Sequence, residues 1–369
     1  MSTSWQIHLE RWTAAGLIDE AAAIRVRDWE SGQARPTGLR WPTIVALAMG
    51  ALMLCGGVLL FVSAHWDAIS PAARMAVVLL MVGVFHAGGA AAADRFAGLA
   101  TALHTVGTVA LGAAIALAGQ IFNLNEHWPA AVLLWAIGAA LAWAMLGHWT
   151  QGALTAILAP YWLAAEWTVS NQRVPGAFIP MAAGVCALSL TYLSARQSSD
   201  DSALRKALAW IGGIAVLPAA ASVAIAGWID LPKFTESWAG WAVAALLPVA
   251  VAVLLRGRQA VWNVAAVLWS FALALSSGGH DHRLLVYFWC AIGAAGLAAW
   301  GINEARAERI NLGIAGFAIT VLAFYFSTVM DKLGRSFSLT VLGLLFLGGG
   351  WLLERTRRRL IANLQTEAL

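Results

Sequence analysis

The chain has 369 residues, of which 60% are hydrophobic and 11% charged, whereas soluble domains carry about 25% charged residues. This apolar composition excludes both a soluble globular protein and a disordered one. It indicates a protein that lies largely in lipid. The net charge of +4 is small, and no basic block points to nucleic acid.

Residues 1–40 are polar and mixed in charge, and they predict a short cytosolic helical hairpin. Leu9 and Trp12 are spaced to share one face of a first helix, which Gly16 can end. Asp19 can cap a second helix. The two helices either fold as a hairpin or lie on the membrane surface. The segment is either a solvated amphipathic lead-in or a module that docks a protein partner. No apolar run precedes residue 41, so no cleavable signal peptide is expected.

The rest of the chain divides into uncharged runs, each about long enough for a helix to cross the 30 Å hydrocarbon core. Twelve spans are predicted, at about 43–64, 74–94, 98–119, two within 126–166 divided at 147–152, 173–196, 206–230, 236–256, 258–281, 283–304, 309–331 and 335–354. The predicted fold is therefore an all-α polytopic transmembrane bundle. Its transmembrane domain covers 41–354, with a first half to about 150 and a further helical bundle after it, and a basic cytosolic tail covers 355–369.

The distribution of Lys and Arg predicts the orientation of this bundle, because cytoplasmic loops are enriched in both residues. With the N-terminus inside, 17 of the 23 basic residues fall on the inner side. The outer side holds the remaining six, which are Arg74, Arg173, Lys233, Arg283, Lys332 and Arg335. Both termini are therefore expected in the cytoplasm.

The densest polar cluster is 118–128, at the outer end of the third predicted span. Its candidate substrate-binding residues are Gln120, Asn123, Asn125, Glu126 and His127, and Asp67 and Glu166 are expected on the same side of the membrane. The alternative interpretation is a hydrogen-bonded cap that satisfies the end of this helix.

Histidines supply the other candidates. His86 and His104 lie inside the second and third spans, and each is either a neutral core histidine bonded across helices or a member of a proton relay. His280 and His282 flank Asp281 on an outer turn, where they are weak candidates for a metal site or simply solvated. No metal site and no cofactor are predicted.

Four successive spans contain a proline. They are Pro160, Pro180, Pro218 and Pro248. A proline inside a helix removes one backbone hydrogen bond and can kink the helix, and broken helices often line transporter sites. Ordinary membrane helices also contain proline.

Three motifs carry a family resemblance over about residues 5–150. They are the segment 12–19, WTAAGLID; Gly56-Gly57 followed by AHWD at 64–67 and by Arg74; and AGQIFNLN at 118–125. Together they resemble the bacterial predicted membrane proteins of domain of unknown function 2157. The second half is similar to a related uncharacterised membrane module through Phe324-Tyr-Phe326 and the turn at 334–336. The resemblance implies a multi-pass protein of the bacterial inner membrane, and it brings no assigned activity.

Three functions remain open. The first is a transporter or flippase-like permease with a cavity near the middle of the bilayer. The second is a non-transporting scaffold or sensor that docks a cytosolic protein through residues 1–40. The third is a membrane-embedded enzyme that acts on a lipid-linked substrate, although no soluble-type catalytic motif is present. The lipid bilayer is the one partner that all three share.

Overall fold

The fold was analysed in a computed structural model. It describes residues 4–33, 70–121, 127–198, 200–226, 238–276 and 283–329, together with isolated positions within 46–60 and 343–355. Everything described is helix, turn or irregular backbone, and no strand occurs in these ranges. The first and twelfth predicted spans and the basic tail lie almost entirely outside them.

The N-terminal helices are α1 (Ser4–Ala14) and α2 (Glu20–Gln33). Gly16 follows α1 with φ of 69°, a left-handed conformation that glycine adopts without steric cost. The Asp19 carboxylate accepts a 2.7 Å hydrogen bond from the Ala22 N–H, which satisfies one of the free donors at the start of α2. The Leu9 and Ala23 side chains are buried.

Ten longer helices follow at the positions of the second to eleventh predicted runs. They are α3 (Pro71–Ala92), α4 (Ala97–Ile121), α5 (Pro129–Leu146), α6 (Trp149–Ser170), α7 (Phe178–Leu193), α8 (Ala203–Ala226), α9 (Trp238–Arg256), α10 (Val261–Ser276), α11 (Arg283–Asn303) and α12 (Ala307–Phe324). Within the described residues, seven helical stretches are long and apolar enough to cross a membrane. A short 3₁₀ turn, Gly257–Ala260, joins α9 to α10, so these two count as one stretch. The described part of the chain is therefore an all-α membrane bundle.

The chain separates into two compact units, residues 1–107 and residues 108–369. In the second unit, α7 is the central helix and packs against α6, α8, α9 and α10. Most of its residues are buried, including Ala183, Cys186 and Ala187, which are fully inaccessible. Small side chains let helix backbones approach closely where no hydrophobic force acts between helices in lipid. The sequence of α7 thus explains its central position.

Helices α7 and α8 approach each other closely at Gly212. A Cβ atom at this position would overlap the backbone nitrogen of Leu193 and the backbone oxygen of Ser189. At the next residue, Gly213, the nearest atom would be the Leu193 Cδ1 at 3.7 Å, an ordinary contact. Only the first of these adjacent glycines is required by packing.

Three turns meet at one end of the second unit, and Glu304 joins two of them. Its carboxylate accepts hydrogen bonds of 2.5 Å from Arg256, the last residue of α9, and 2.5 Å from Arg309, in α12. Both arginine side chains are fully inaccessible to solvent. Arg309 also donates to the Arg196 carbonyl in the turn after α7, at 3.4 Å. A single carboxylate is therefore the shared counter-ion of two buried guanidinium groups.

Trp300 completes this charged network. Its indole N–H donates to Glu304 at 2.6 Å, and its ring lies 5.3 Å from the Arg256 guanidinium and 4.7 Å from that of Arg309. Arg256 Nε and Nη1 and Arg309 Nε have no hydrogen-bond partner among the described residues. The ring face therefore supplies cation–π stabilisation to both charges where hydrogen bonds are missing.

Arg205 of α8 links the turn after α7 to the last turn of α9. Arg205 donates to the Ala195 carbonyl at 3.1 Å and to the Leu255 carbonyl at 2.7 Å. The neighbouring Asp201 accepts the N–H groups of Gln197 and Ser198. Burial acts to raise the pKa of Asp201, but these N–H donors and nearby arginines outweigh it and lower the pKa below its ordinary value.

The two adjacent glycines of α8 give the first prediction. We expect Gly212→Ala to lower the free energy of unfolding by about 1–3 kcal/mol or more, because the added methyl meets backbone that cannot turn aside. Gly213→Ala is the matched control. Because alanine forms helix more readily than glycine, this change should leave the free energy of unfolding unchanged or raise it by up to about 1 kcal/mol. Unfolding of both variants in detergent, followed by circular dichroism, measures the difference. Equal effects would contradict the packing argument.

The second prediction concerns Glu304. We expect Glu304→Gln to cost about 3–5 kcal/mol of unfolding free energy, because two buried guanidinium groups lose their counter-charge. Glu308→Gln is the control, since Glu308 lies 3.9 Å from Arg196 with both side chains about one-third exposed, and such a pair contributes about 0–1 kcal/mol. Similar losses in the two variants, measured as denaturation in detergent, would show that burial of the network is unimportant.

The stabilities of the native protein and of Glu304→Gln should also differ in their dependence on pH. Burial acts to raise the pKa of Glu304, but hydrogen bonds from Arg256, Arg309 and Trp300 outweigh it and hold the pKa below its ordinary value of 4.5. The pKa is thus lower in the folded protein than in the unfolded chain, so the stabilisation is present above pH 4.5 and is lost as the pH falls through the lowered value. Stability of the native protein should decline over that acidic range, and this part of the decline should be missing from Glu304→Gln.

Candidate functional site

An apolar cleft lies between α6, α7 and α9. All of its lining side chains are apolar, and they include Pro160 and Leu163 of α6, Met181 and Leu188 of α7, and Leu247 and Pro248 of α9. Val185 and Val243, which also line it, are 39% and 37% exposed. The cleft therefore opens on the outer surface of the bundle, where a membrane protein meets lipid tails.

Two prolines place this cleft near the middle of its helices. Pro160 is the twelfth of 22 residues in α6, and Pro248 is the eleventh of 19 in α9. Gly184 of α7 packs directly against Ala244 of α9, where a Cβ atom would meet the alanine Cβ at 2.9 Å. Helix-breaking residues on two walls and a small residue on the third together leave the space that side chains would otherwise fill.

The hydrogen bond that Pro160 removes is replaced from α7. Proline has no N–H, so the carbonyl four residues earlier, that of Ala156, loses its helical donor. The Tyr192 hydroxyl donates to this carbonyl at 2.9 Å, and Tyr192 is buried. In lipid an unpaired backbone carbonyl is costly, so this bond stabilises the irregular wall of the cleft.

The sequence predicted an internal proline in each of four helices, and the structure differs at one. Pro160, Pro218 and Pro248 lie inside α6, α8 and α9. Pro180 is the third residue of α7, where the N–H group it lacks has no intrahelical acceptor. It therefore removes no helical hydrogen bond.

His127 and Glu166 form a polar pair close to the cleft. His127 Nε2 lies 2.8 Å from Glu166 Oε2, and the Ser170 hydroxyl donates to Oε1 at 3.1 Å. Both members of the pair are partly exposed. Glu166 follows Leu163 by three residues on α6, which is about 4.5 Å along the helix axis. The polar pair thus lies about one turn beyond a side chain of the cleft.

The rest of the predicted polar cluster is only partly described. Gln120 lies on the last turn of α4 and is exposed. Asn123, Asn125, Glu126 and Asp67 lie outside the described residues. His280 and His282 lie outside them too, and the described part of the chain contains no group of three or more potential metal ligands.

The two histidines predicted inside spans contact each other in the first unit. His86 Nδ1 of α3 lies 3.0 Å from His104 Nδ1 of α4, and the ring centroids are 5.2 Å apart. His104 is buried and His86 is partly buried. Each ring occupies space left by a glycine of the opposite helix, as His86 packs on Gly107 and His104 on Gly89.

Sequence reasoning did not identify the cleft or the Glu304 network. The cleft consists of ordinary apolar residues of three helices, and the prolines are the one signal that pointed towards it. In the sequence analysis, Arg256, Glu304 and Arg309 served only as bounds of predicted spans. Their signal is that Trp300 precedes Glu304 by four residues, one helical turn, and that Arg309 follows Glu304 by five residues at the start of the next predicted span.

No curated protein and no solved structure matches the chain. Residues 10–151 match the family model described as Predicted membrane protein (DUF2157), which confirms the resemblance predicted for about residues 5–150 and, with the seven apolar helices, identifies the chain as a multi-pass membrane protein.

Proposed function

We propose that this protein is a flippase-like permease of the bacterial inner membrane that moves an amphipathic, lipid-like molecule. The observation that carries the proposal is the cleft of α6, α7 and α9. It lies near the middle of these helices, it is lined by apolar side chains alone, and Val185 and Val243 are exposed at its mouth. A hydrocarbon tail is the occupant that such a surface would favour, because burying a charged or polar solute there would leave its polar groups unpaired.

The His127–Glu166 pair gives the proposed substrate a place for its polar end. It lies about one helical turn beyond Leu163, on the same helix that carries Pro160. A tail in the cleft and a headgroup near this pair would together position an amphipathic molecule along α6. The partial exposure of both side chains leaves them accessible to a headgroup from the aqueous side.

The orientation proposed for this permease has twelve spans with both termini in the cytoplasm. The convergence of the turns near Arg196, Arg256 and Glu304 at one end of the second unit supports it, because all three turns are predicted to be cytoplasmic. The contact of His127 with Glu166 supports it in the same way for the outer side.

Reporter fusions test this orientation. We expect green fluorescent protein to fluoresce, and alkaline phosphatase to be inactive, when either is fused at the C-terminus or placed after residue 200. Phosphatase placed after residue 172 should be active, since that turn is predicted to be outside. Activity after residue 200 would overturn the proposed orientation.

A second candidate function is docking of a cytosolic protein through α1 and α2. The observation that favours it is a set of exposed apolar side chains on these helices and on the turn between them, namely Trp12, Leu17, Ile24, Val26 and Trp29. Soluble surfaces rarely group so many large apolar residues without a contact to make. This function needs no lipid movement, so the experiment below separates the two.

The permease is tested by filling the cleft. Leu247→Trp should obstruct it, whereas Leu246→Trp places the same side chain at a neighbouring position that is 67% exposed. We expect proteoliposomes of the native protein to equilibrate a fluorescent phospholipid between leaflets faster than protein-free vesicles. Leu247→Trp should slow this about tenfold, equivalent to about 1.4 kcal/mol in barrier height, and Leu246→Trp should leave it unchanged.

Two outcomes would count against the permease. If native vesicles equilibrate the lipid no faster than protein-free ones, lipid movement is not the function, and docking through α1 and α2 is favoured. If the two tryptophan variants are slowed equally, movement does not pass through the cleft. Unfolding midpoints in detergent, measured for both variants, separate obstruction from loss of fold.

A further inference from the structure

We propose that the backbone carbonyl of Ala244, in α9, accepts a hydrogen bond from the transported molecule, so that the substrate headgroup is one that carries an N–H or O–H group. The inference rests on the proposed permease function and names the chemical class of its substrate. The observation behind it is that Pro248 removes the helical donor of a carbonyl in the wall of the cleft.

The Ala244 carbonyl loses its donor for the reason already given for Ala156. Pro248 has no N–H and lies inside α9, so the carbonyl four residues before it receives no helical hydrogen bond from that position. Ala244 and Pro248 both line the cleft. A Cβ atom placed on Gly184 of α7 would lie 3.4 Å from the Ala244 oxygen. This oxygen therefore lies where α9 faces α7, beside the cleft.

Helix α7 supplies side-chain donors to two other carbonyls near these prolines. The Tyr192 hydroxyl donates to the Ala156 carbonyl at 2.9 Å, and the Thr191 hydroxyl donates to the Pro248 carbonyl at 3.4 Å. Beside Ala244, in contrast, every side chain that lines the cleft is apolar and has no N–H or O–H to offer. The cleft thus contains a backbone acceptor that its own lining does not satisfy.

A ligand with a donor would stabilise this oxygen. A backbone carbonyl without a donor is costly in lipid, and a hydrocarbon tail cannot supply one. A headgroup that crosses the bilayer along the cleft meets the oxygen near the middle of α9, where it has lost its hydration. One hydrogen bond at that point lowers the cost of the desolvated headgroup, so headgroups with a donor should cross faster.

Two zwitterionic phospholipid headgroups differ in this property. Ethanolamine ends in an ammonium group with three N–H donors, as lysine does, whereas the quaternary ammonium of choline has none. Both carry the same phosphate. An N,N-dimethylethanolamine headgroup is nearly as large as choline but keeps an N–H, so it separates the effect of hydrogen bonding from the effect of size.

Proteoliposomes of the full-length protein, with these three lipids labelled on an acyl chain, test the preference. We expect the native protein to equilibrate the ethanolamine and dimethylethanolamine lipids about fivefold faster than the choline lipid, the size of effect that one hydrogen bond produces. Equal rates for the dimethylethanolamine and choline lipids would overturn the inference and leave the permease standing. If no lipid moves faster than in protein-free vesicles, the permease itself fails.

Restoring the missing N–H identifies the acceptor. Pro248→Ala gives α9 a donor for the Ala244 carbonyl, so the dimethylethanolamine and choline lipids should then move at equal rates. Pro218→Ala is the matched control, because Pro218 lies inside α8 and frees the carbonyl of Ile214, whose side chain is 71% exposed. The fivefold preference should remain in this control.

A preference retained in Pro248→Ala would overturn the assignment to Ala244. Unfolding midpoints in detergent identify any variant that has lost its fold. If Pro248→Ala is one of these, Pro248→Leu supplies the same N–H with a larger apolar side chain in the place of the proline ring. The three lipids in the native protein decide the headgroup preference without either variant.

Discussion

The carboxylate of Glu304 is the interaction on which the second unit depends most. Arg256 and Arg309 are fully buried beside it, and an unpaired buried charge costs several kcal/mol. Because the two arginines belong to different helical hairpins, the requirement for their neutralisation fixes the end of α9 against the start of α12. At this end the two helices cannot separate without leaving a buried charge unpaired.

The apolar cleft lies on a bundle held in this way at one end. Its third wall, α9, ends in Arg256, so that wall is restrained near the Glu304 network. The close α7–α8 contact at Gly212 adds a second fixed element. Towards the other end of α9, the Trp167 indole of α6 packs directly on Gly240, so the walls of the cleft are held at both ends.

Much of the helical layout could be predicted from the sequence, since charges bound the apolar runs and these runs match the ten long helices from α3 to α12. The Asp19 cap and the Gly16 helix end were also readable, because both depend on local chemistry. The cleft and the Glu304 network depend instead on which helices become neighbours, and a single sequence carries little information on that. His86 and His104 were singled out separately as intramembrane groups, but their contact depends on Gly89 and Gly107, which resemble any other packing glycine in the sequence.

Pro160 and Tyr192 also constrain how the chain can change. The tyrosine hydroxyl bonds the carbonyl that the proline leaves without a helical donor. If the proline were replaced by a residue with an N–H group, the helix would reclaim that carbonyl, and a buried hydroxyl would have to compete for it. If the tyrosine were replaced by phenylalanine, the carbonyl would be left unpaired in lipid. Each change alone is unfavourable and the two together are tolerable. An α6 with uninterrupted helical hydrogen bonds is therefore separated from the present one by an intermediate that is less stable than either.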